Sequence, residues 1–151
     1  MIRRAGLASI VGAAVAAELL TFTPSFEGTK LTTYRDLGGV LTYCTGATEN
    51  AMWGKTYTLA ECRAQLERDL ERHAAGVARC VPMNRLTAGQ RVAFVDAAYN
   101  IGVSAFCGSS MARRANAGDM VGACDALLMW NKVGGREVRG LTLRRQKERE
   151  L

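Results

Sequence analysis

The sequence predicts an α+β fold in which a small β-hairpin lobe is followed by a helical lobe. Three observations point to it. Residues Thr32 to Thr48 are rich in Thr, Tyr, Val and Gly, with Gly38-Gly39 as a turn signal. Two capping boxes, Thr58-Leu59-Ala60-Glu61 and Thr87-Ala88-Gly89-Gln90, each open a stretch of helical periodicity. A length of 151 residues suits one domain with a real core, arranged as two lobes about one cleft.

Taken in chain order, Met1-Ile2-Arg3-Arg4 is a basic head, and Ala5 to Ala17 is an uncharged run that ends at Glu18. A committed membrane span wants about 20 strongly apolar residues, and this stretch is weaker. A positive start, a short apolar core and small residues form the pattern of an export signal, so residues 1–17 read as a targeting segment and 18–151 as the working domain. The segment is either cleaved near Ala14 to Ala17 or kept as a weak anchor whose Ala and Gly content lets it leave the bilayer later. Arg3-Arg4 ahead of thirteen uncharged residues speaks against a third reading, a buried helix of a cytoplasmic protein. After the hairpin, a helix is expected from Leu59 to about Ala78, closed by Pro82. The run Val92, Phe94, Val95, Ala98 and Tyr99 marks the central core helix, ending near Gly102. Further helices are expected at Ser110 to Asn116, Asp119 to Trp130 and from Thr142 onward, divided by Ala117-Gly118 and a Gly134-Gly135 loop.

With 48% apolar and 23% charged residues the chain is neither disordered nor a polytopic membrane protein. A formal charge of +6 attracts polyanions, and nucleic acid, anionic lipid and carboxylate-bearing cell wall all qualify. The basic residues crowding the C-terminal end (Arg136, Arg139, Arg144, Arg145, Lys147, Arg149) alternate with Glu137, Glu148 and Glu150, which reads as a solvated helix face. Five cysteines accompany one histidine, His73, with no C-x-x-C pair, so zinc is not expected and structural disulfides in an oxidising compartment explain the count better. The preferred pairing is Cys44 with Cys62 and Cys80 with Cys107. Cys124 then has no partner within the chain, and one is expected beyond Leu151.

Splitting a glycosidic bond needs a proton donor at the leaving oxygen and, across the sugar, a carboxylate that activates water or stabilises positive charge. Glu27 and Asp36 suit those tasks. Glu27 follows an apolar stretch ending in Phe26, where desolvation is expected to keep it protonated, while Asp36 sits by a polar turn. If residues 37–39 form a three-residue hairpin loop, Asp36 pairs with Val40 and Tyr34 with Thr42, which makes Asp36 and Thr42 diagonal neighbours able to hold one water. A two-residue loop at Gly38-Gly39 would put them on opposite faces, so this arrangement depends on the turn.

The context Glu27-Gly28, Tyr34-x-Asp36 and Gly39-Val40-x-Thr42-x-Cys44-x-Gly46-x-Thr48 resembles the active-site region of the phage lysozyme family, glycoside hydrolase family 24, and most closely its signal-arrest-release endolysins from lambdoid phages. The likeness continues through Gly54-Lys55-x-Tyr57-Thr58-x-x-Glu61-Cys62, Tyr99-Asn100-x-Gly102, Ala117-Gly118-Asp119, Gly122-Ala123-Cys124-Asp125, Trp130, Gly134-Gly135, Gly140-Leu141 and Arg144-Arg145. It implies a lysozyme-like fold with the active site between the lobes and a catalytic triad of Glu27, Asp36 and Thr42. It implies hydrolysis between N-acetylmuramic acid and N-acetylglucosamine of bacterial peptidoglycan, with no metal or organic cofactor. It also implies export to the host periplasm, with an inner-membrane tether first. Some relatives of this kind are controlled by a cysteine inside the anchor, but no cysteine precedes Cys44 here. A scheme in which a membrane-held anchor keeps the cleft from assembling fits better.

Tyr34, Asn100 and Trp130 are expected to face substrate, although Asn100 also reads as a helix end and Trp130, like Trp53, as a packing residue. His73 sits among Arg68, Asp69, Glu71 and Arg72 and reads as solvated. The glycine pairs lack a phosphate-loop setting, and no G-x-S-x-G elbow is present. The competing functions are a lytic transglycosylase, which needs the acid but no water-holding Asp36 and Thr42, and a basic non-enzymatic binding module. Nucleic acid is not an expected partner, and a monomer is expected.

Overall fold

The computed structural model describes residues 6–151; the basic head with Arg3-Arg4 lies outside the described residues. Helix α1 (Leu7–Val11) is followed after Gly12 by α2 (Ala13–Glu27). Gly12 has φ +94°, open to glycine at little cost, and the break it makes frees the Val11 carbonyl to accept from Arg91 Nη1 at 3.1 Å. Leu7, Val11, Val15 and Leu19 recur every four residues and form one buried stripe against Leu66, Leu70 and Ala74 of α3 and Val92 and Val95 of α4. The stretch that reads as a targeting segment therefore fills the core in this structure. The expected division between residues 17 and 18 falls inside α2, which continues without a break to Glu27. No helix of the described residues is long and apolar enough to cross a membrane.

Strands β1 (Lys30–Arg35) and β2 (Leu41–Cys44) form an antiparallel hairpin with Tyr34 opposite Thr42. The Asp36 amide donates to Val40 O, and the Gly39 amide to Asp36 O, both at 2.9 Å, which closes a three-residue loop at residues 37–39. Gly39, at φ +78°, takes the left-handed position that such a loop requires. Chain 52–57 lies alongside β1 through a bridge between Thr32 and Thr56. Tyr43, Ala47, Tyr57 and the Cys44–Cys62 disulfide make a small core under this lobe.

The helical lobe is built on α3 (Leu59–Cys80) and α4 (Ala88–Ile101), each opened by the expected capping box. Every residue from Val92 to Ala98 is buried, so α4 is the central helix, with the N-terminal stripe on one side and a second core on the other. That second core joins Val77 and Val81 to Phe94, Phe106, Met111 and Leu127. It includes α5 (Val103–Cys107), α6 (Ser110–Asn116) and α7 (Met120–Ala126), and Cys80 is bonded to Cys107. A 3-10 turn at Leu127–Met129 follows α7, so the single helix expected to Trp130 is shorter. The Gly134-Gly135 loop is a turn between two short strands, β3 (Lys132–Val133) and β4 (Arg136–Glu137). Helix α8 (Arg139–Glu150) starts three residues before Thr142.

The C-terminal helix departs from expectation in a way that shapes the site. Its Arg144, Arg145 and Glu148 are buried rather than solvated. The cause is an opposing charge hidden in α4: Asp96 lies within Phe94-Val95-Asp96-Ala97-Ala98, fully out of solvent, and Arg144 answers it with Nε to Oδ2 at 2.9 Å and Nη2 to Oδ1 at 3.0 Å. A buried carboxylate is stable only with such a partner.

Candidate active site

Glu27 is the last residue of α2, where Gly28, at φ +69°, turns the chain into the hairpin. Its Oε1 accepts from Arg144 Nη1 at 2.5 Å, and its side chain is 20% exposed. Arg144, itself 4% exposed, lies 5.2 Å from the Phe26 ring centroid and spans the gap between Glu27 and Asp96. Thr23, one turn back on α2, donates its hydroxyl to Asp96 Oδ1 at 2.7 Å. Burial alone would raise the Asp96 carboxyl, but the bonds from Arg144 and Thr23 outweigh it and hold the group below the usual carboxylate value. The same pairing pushes the Arg144 guanidinium up against the effect of its own burial. Glu27 is thus gripped by a cation, where the sequence suggested an apolar pocket. Its Oε2 lies beside Gly46, where a Cβ would come to 3.0 Å.

The hairpin supplies the opposite wall. Asp36 Oδ1 accepts from the amides of Gly38 and Val40, both at 2.9 Å, an Asx turn that fixes the carboxylate and leaves Oδ2 free of protein hydrogen bonds among the described residues. Thr42 Oγ1 donates to Val40 O at 2.9 Å, which commits its proton and leaves its lone pairs open. Tyr34 lines the same cleft as the two acids; burial first, then the charges of Glu27 and Asp36, raise its phenol.

The floor comes from α3 and α4. Asn100 reaches the cleft from the last turn of α4. The Tyr99 hydroxyl donates to Thr45 O and so ties the turn that follows β2 to the central helix. The His73 ring lies 5.1 Å from the Tyr99 ring, with Nδ1 2.6 Å from Asp69 O, and its burial lowers its basicity.

Glu27, Tyr34, Asp36, Thr42 and Asn100 line one cleft of about 450 Å³, together with Gly46, Asp69, Arg72 and His73. Trp130 does not join them: it packs against the second helical core, because the 3-10 turn before it directs it there. Trp53 is exposed beside Arg35 and also lies outside the cleft lining. His73 is a cleft residue rather than a solvated one. Arg144 and Asp96 were missed as site residues. A lone carboxylate inside an apolar helical run was the available signal for Asp96. Among the described residues, no three His, Cys, Asp or Glu side chains gather as a metal site would require.

A family model described as phage lysozyme matches residues 24–148. A protein of Enterobacteria phage PA-2 named SAR-endolysin is 40% identical over 158 residues, which cover 99% of this chain and 94% of that one. The muramidase domain of SpmX from Asticaccaulis excentricus superposes with a TM-score of 0.79 at 29% identity, covering 93% of this chain and 95% of that chain. The endolysin from Escherichia coli O157:H7 phage FAHEc1 does so with a TM-score of 0.78 at 30% identity, covering 88% and 89%. With the model spanning most of the sequence and a full-length relative at this level of identity, the chain belongs to the phage lysozyme family.

Proposed function

We propose that the protein is an endolysin that hydrolyses the β-1,4 bond between N-acetylmuramic acid and N-acetylglucosamine in bacterial peptidoglycan, with Glu27 as proton donor. The observation that supports this is the meeting of Glu27, from the helical lobe, with Asp36 and Thr42, from the hairpin, across one cleft. A glycan strand in the cleft would receive a proton on its bridging oxygen from Glu27 Oε2, and Arg144 on Oε1 would stabilise the carboxylate left behind. Asp36 Oδ2 and Thr42 Oγ1 both remain acceptors, so a water held between them directs both hydrogens toward the hairpin and its lone pair toward the sugar. Zymograms on cell walls with wild type, Glu27→Gln and Asp36→Asn test the reading. Clearing by wild type alone, with reducing ends as product, is expected. Clearing by Glu27→Gln overturns the role of Glu27, and anhydro-muramyl ends with an active Asp36→Asn variant indicate a transglycosylase.

The N-terminal segment has a second part in this proposal. Residues 1–17 carry the chain out to the periplasm, held first at the inner membrane, and residues 7–17 then fold into the body as seen in α1 and the start of α2. The relative from phage PA-2 that is named SAR-endolysin aligns with 99% of the chain, which supports this reading. Ala13, Ala14 and Ala17 are exposed, so changing all three to Leu raises apolarity without disturbing the buried stripe. The expected result is delayed lysis with protein kept in the membrane fraction; unchanged timing would count against release from a tether.

A further inference from the structure

Beneath Glu27 lies a charged cluster more extensive than a single ion pair. Arg145 and Glu148 are both fully buried, with Nε 2.6 Å from Oε1 and Nη2 donating to Oε2 at 2.9 Å. Among the described residues Arg145 Nη1 finds no hydrogen-bond partner, and the Glu148 carboxyl abuts that of Asp96. The charged groups around Glu148 are therefore Asp96 from α4 and Arg144 and Arg145 from α8, and Glu27 of α2 joins through Arg144. Helix α8 also packs on α7, whose Asp125 is engaged by Arg149 instead, and on Leu127–Met129, which has no titratable side chain.

The cluster holds two guanidinium groups and three carboxyl groups. In a buried setting it is neutral only when one carboxyl carries a proton. Both oxygens of Asp96 are engaged, by two bonds from Arg144 and one from Thr23, whereas Glu27 and Glu148 each accept at one oxygen only, so Asp96 is not the carrier. The proton belongs to Glu27 or to Glu148. We infer that Glu148 is a positioning residue for the acid: through Asp96 and Arg144, its charge determines whether Glu27 holds a proton, and the two carboxyls are protonated in alternation. Protons enter and leave each from solvent, with no direct transfer between them. In the arrangement observed, Glu27 accepts from Arg144 while Glu148 Oε1 has no hydrogen-bond partner among the described residues, a geometry that suits a proton on Glu148, whose carboxyl burial and then its contact with Asp96 raise well above the ordinary value. When Glu27 carries the proton, Glu148 is the ionised partner of Arg145. This inference rests on Glu27 being the proton donor.

The test is the pH profile of kcat/KM on cell walls. Glu148→Gln is always neutral and so favours ionised Glu27. Its alkaline limb should move down by about one pH unit, a roughly tenfold loss on that limb, with activity recovered toward acid. Removing both partners in an Arg145→Met, Glu148→Met double variant leaves Arg144 and Asp96 balanced with Glu27 protonated, and should return the profile to that of wild type. A folded Glu148→Gln variant with the wild-type profile overturns the inference, as does a double variant shifted like the single one. If Glu148→Gln does not fold, carboxyl-carbon NMR titration of the wild type decides. Coupled two-step curves at both Glu27 and Glu148 are expected, and independent single curves overturn the idea. An active Glu27→Gln enzyme would instead remove the underlying reading, which keeps the two failures distinct.

Discussion

The two walls of the cleft are built by opposite means. The hairpin wall is local: Asp36 is fixed by amides two and four residues away, and Thr42 by a carbonyl two residues away. The helical wall is assembled from afar, with Arg144 joined to Glu27 across 117 positions and to Asp96 across 48, and Thr23 joined to Asp96 across 73. A local wall can lose a functional group and keep its shape, whereas loss from the distant network exposes a buried charge.

The largest effect should follow from Arg144→Met, which strips Asp96 of its counter-charge inside the body. Breaking a buried pair this way costs about 3–5 kcal/mol, so denaturant melts should show a large loss of stability together with loss of lysis. A variant as stable as wild type would break the contrast between the walls. Gly46→Ala comes next, since it forces a left-handed backbone at φ +79° on a residue with a Cβ and brings that Cβ to 3.0 Å from Glu27 Oε2. A cost of about 1–3 kcal/mol is expected, with activity falling further than stability because the acid is displaced. On the local wall, Thr42→Val removes one hydrogen bond, worth about 0.5–1.5 kcal/mol, while hydrolysis should fall by about 100-fold or more. Melts and zymograms on the same samples would sharpen the comparison. The smallest effect concerns His73. Burial lowers its pKa in the folded state, so its contribution to stability is full above the free value of 6.5 and is lost as pH falls through the folded value. Thermal melts below pH 6.5 should show wild type losing stability that a His73→Gln variant does not lose, and parallel pH curves would disprove it.

The same contrast explains what could be read from the sequence. The hairpin is legible from Tyr34, Asp36, Gly39 and Thr42 lying within nine residues, although its register stays open between two loop lengths until the Asp36–Val40 bond fixes the longer one, and both long helices announce themselves through Thr58 with Glu61 and Thr87 with Gln90. The grip on Glu27 was illegible because its partner lies on α8, among alternating charges that look like a solvated face. Trp130 was misplaced for a related reason, since a 3-10 turn with no sequence signal of its own sets its direction. Residues 7–17 have a composition that serves a membrane and a protein core alike, and only the four-residue spacing of Leu7, Val11, Val15 and Leu19 hints at the second.

Helix α3 behaves as a beam riveted at both ends, through Cys62 to the hairpin and through Cys80 to α5. The stretch from Leu7 to Glu27 has no rivet and is held by side-chain packing and by the bonds to Arg91, Asp96 and Arg144. Any displacement of that flank would carry the proton donor with it, because Glu27 is its last residue, while the disulfide at Cys62 still holds the hairpin to α3.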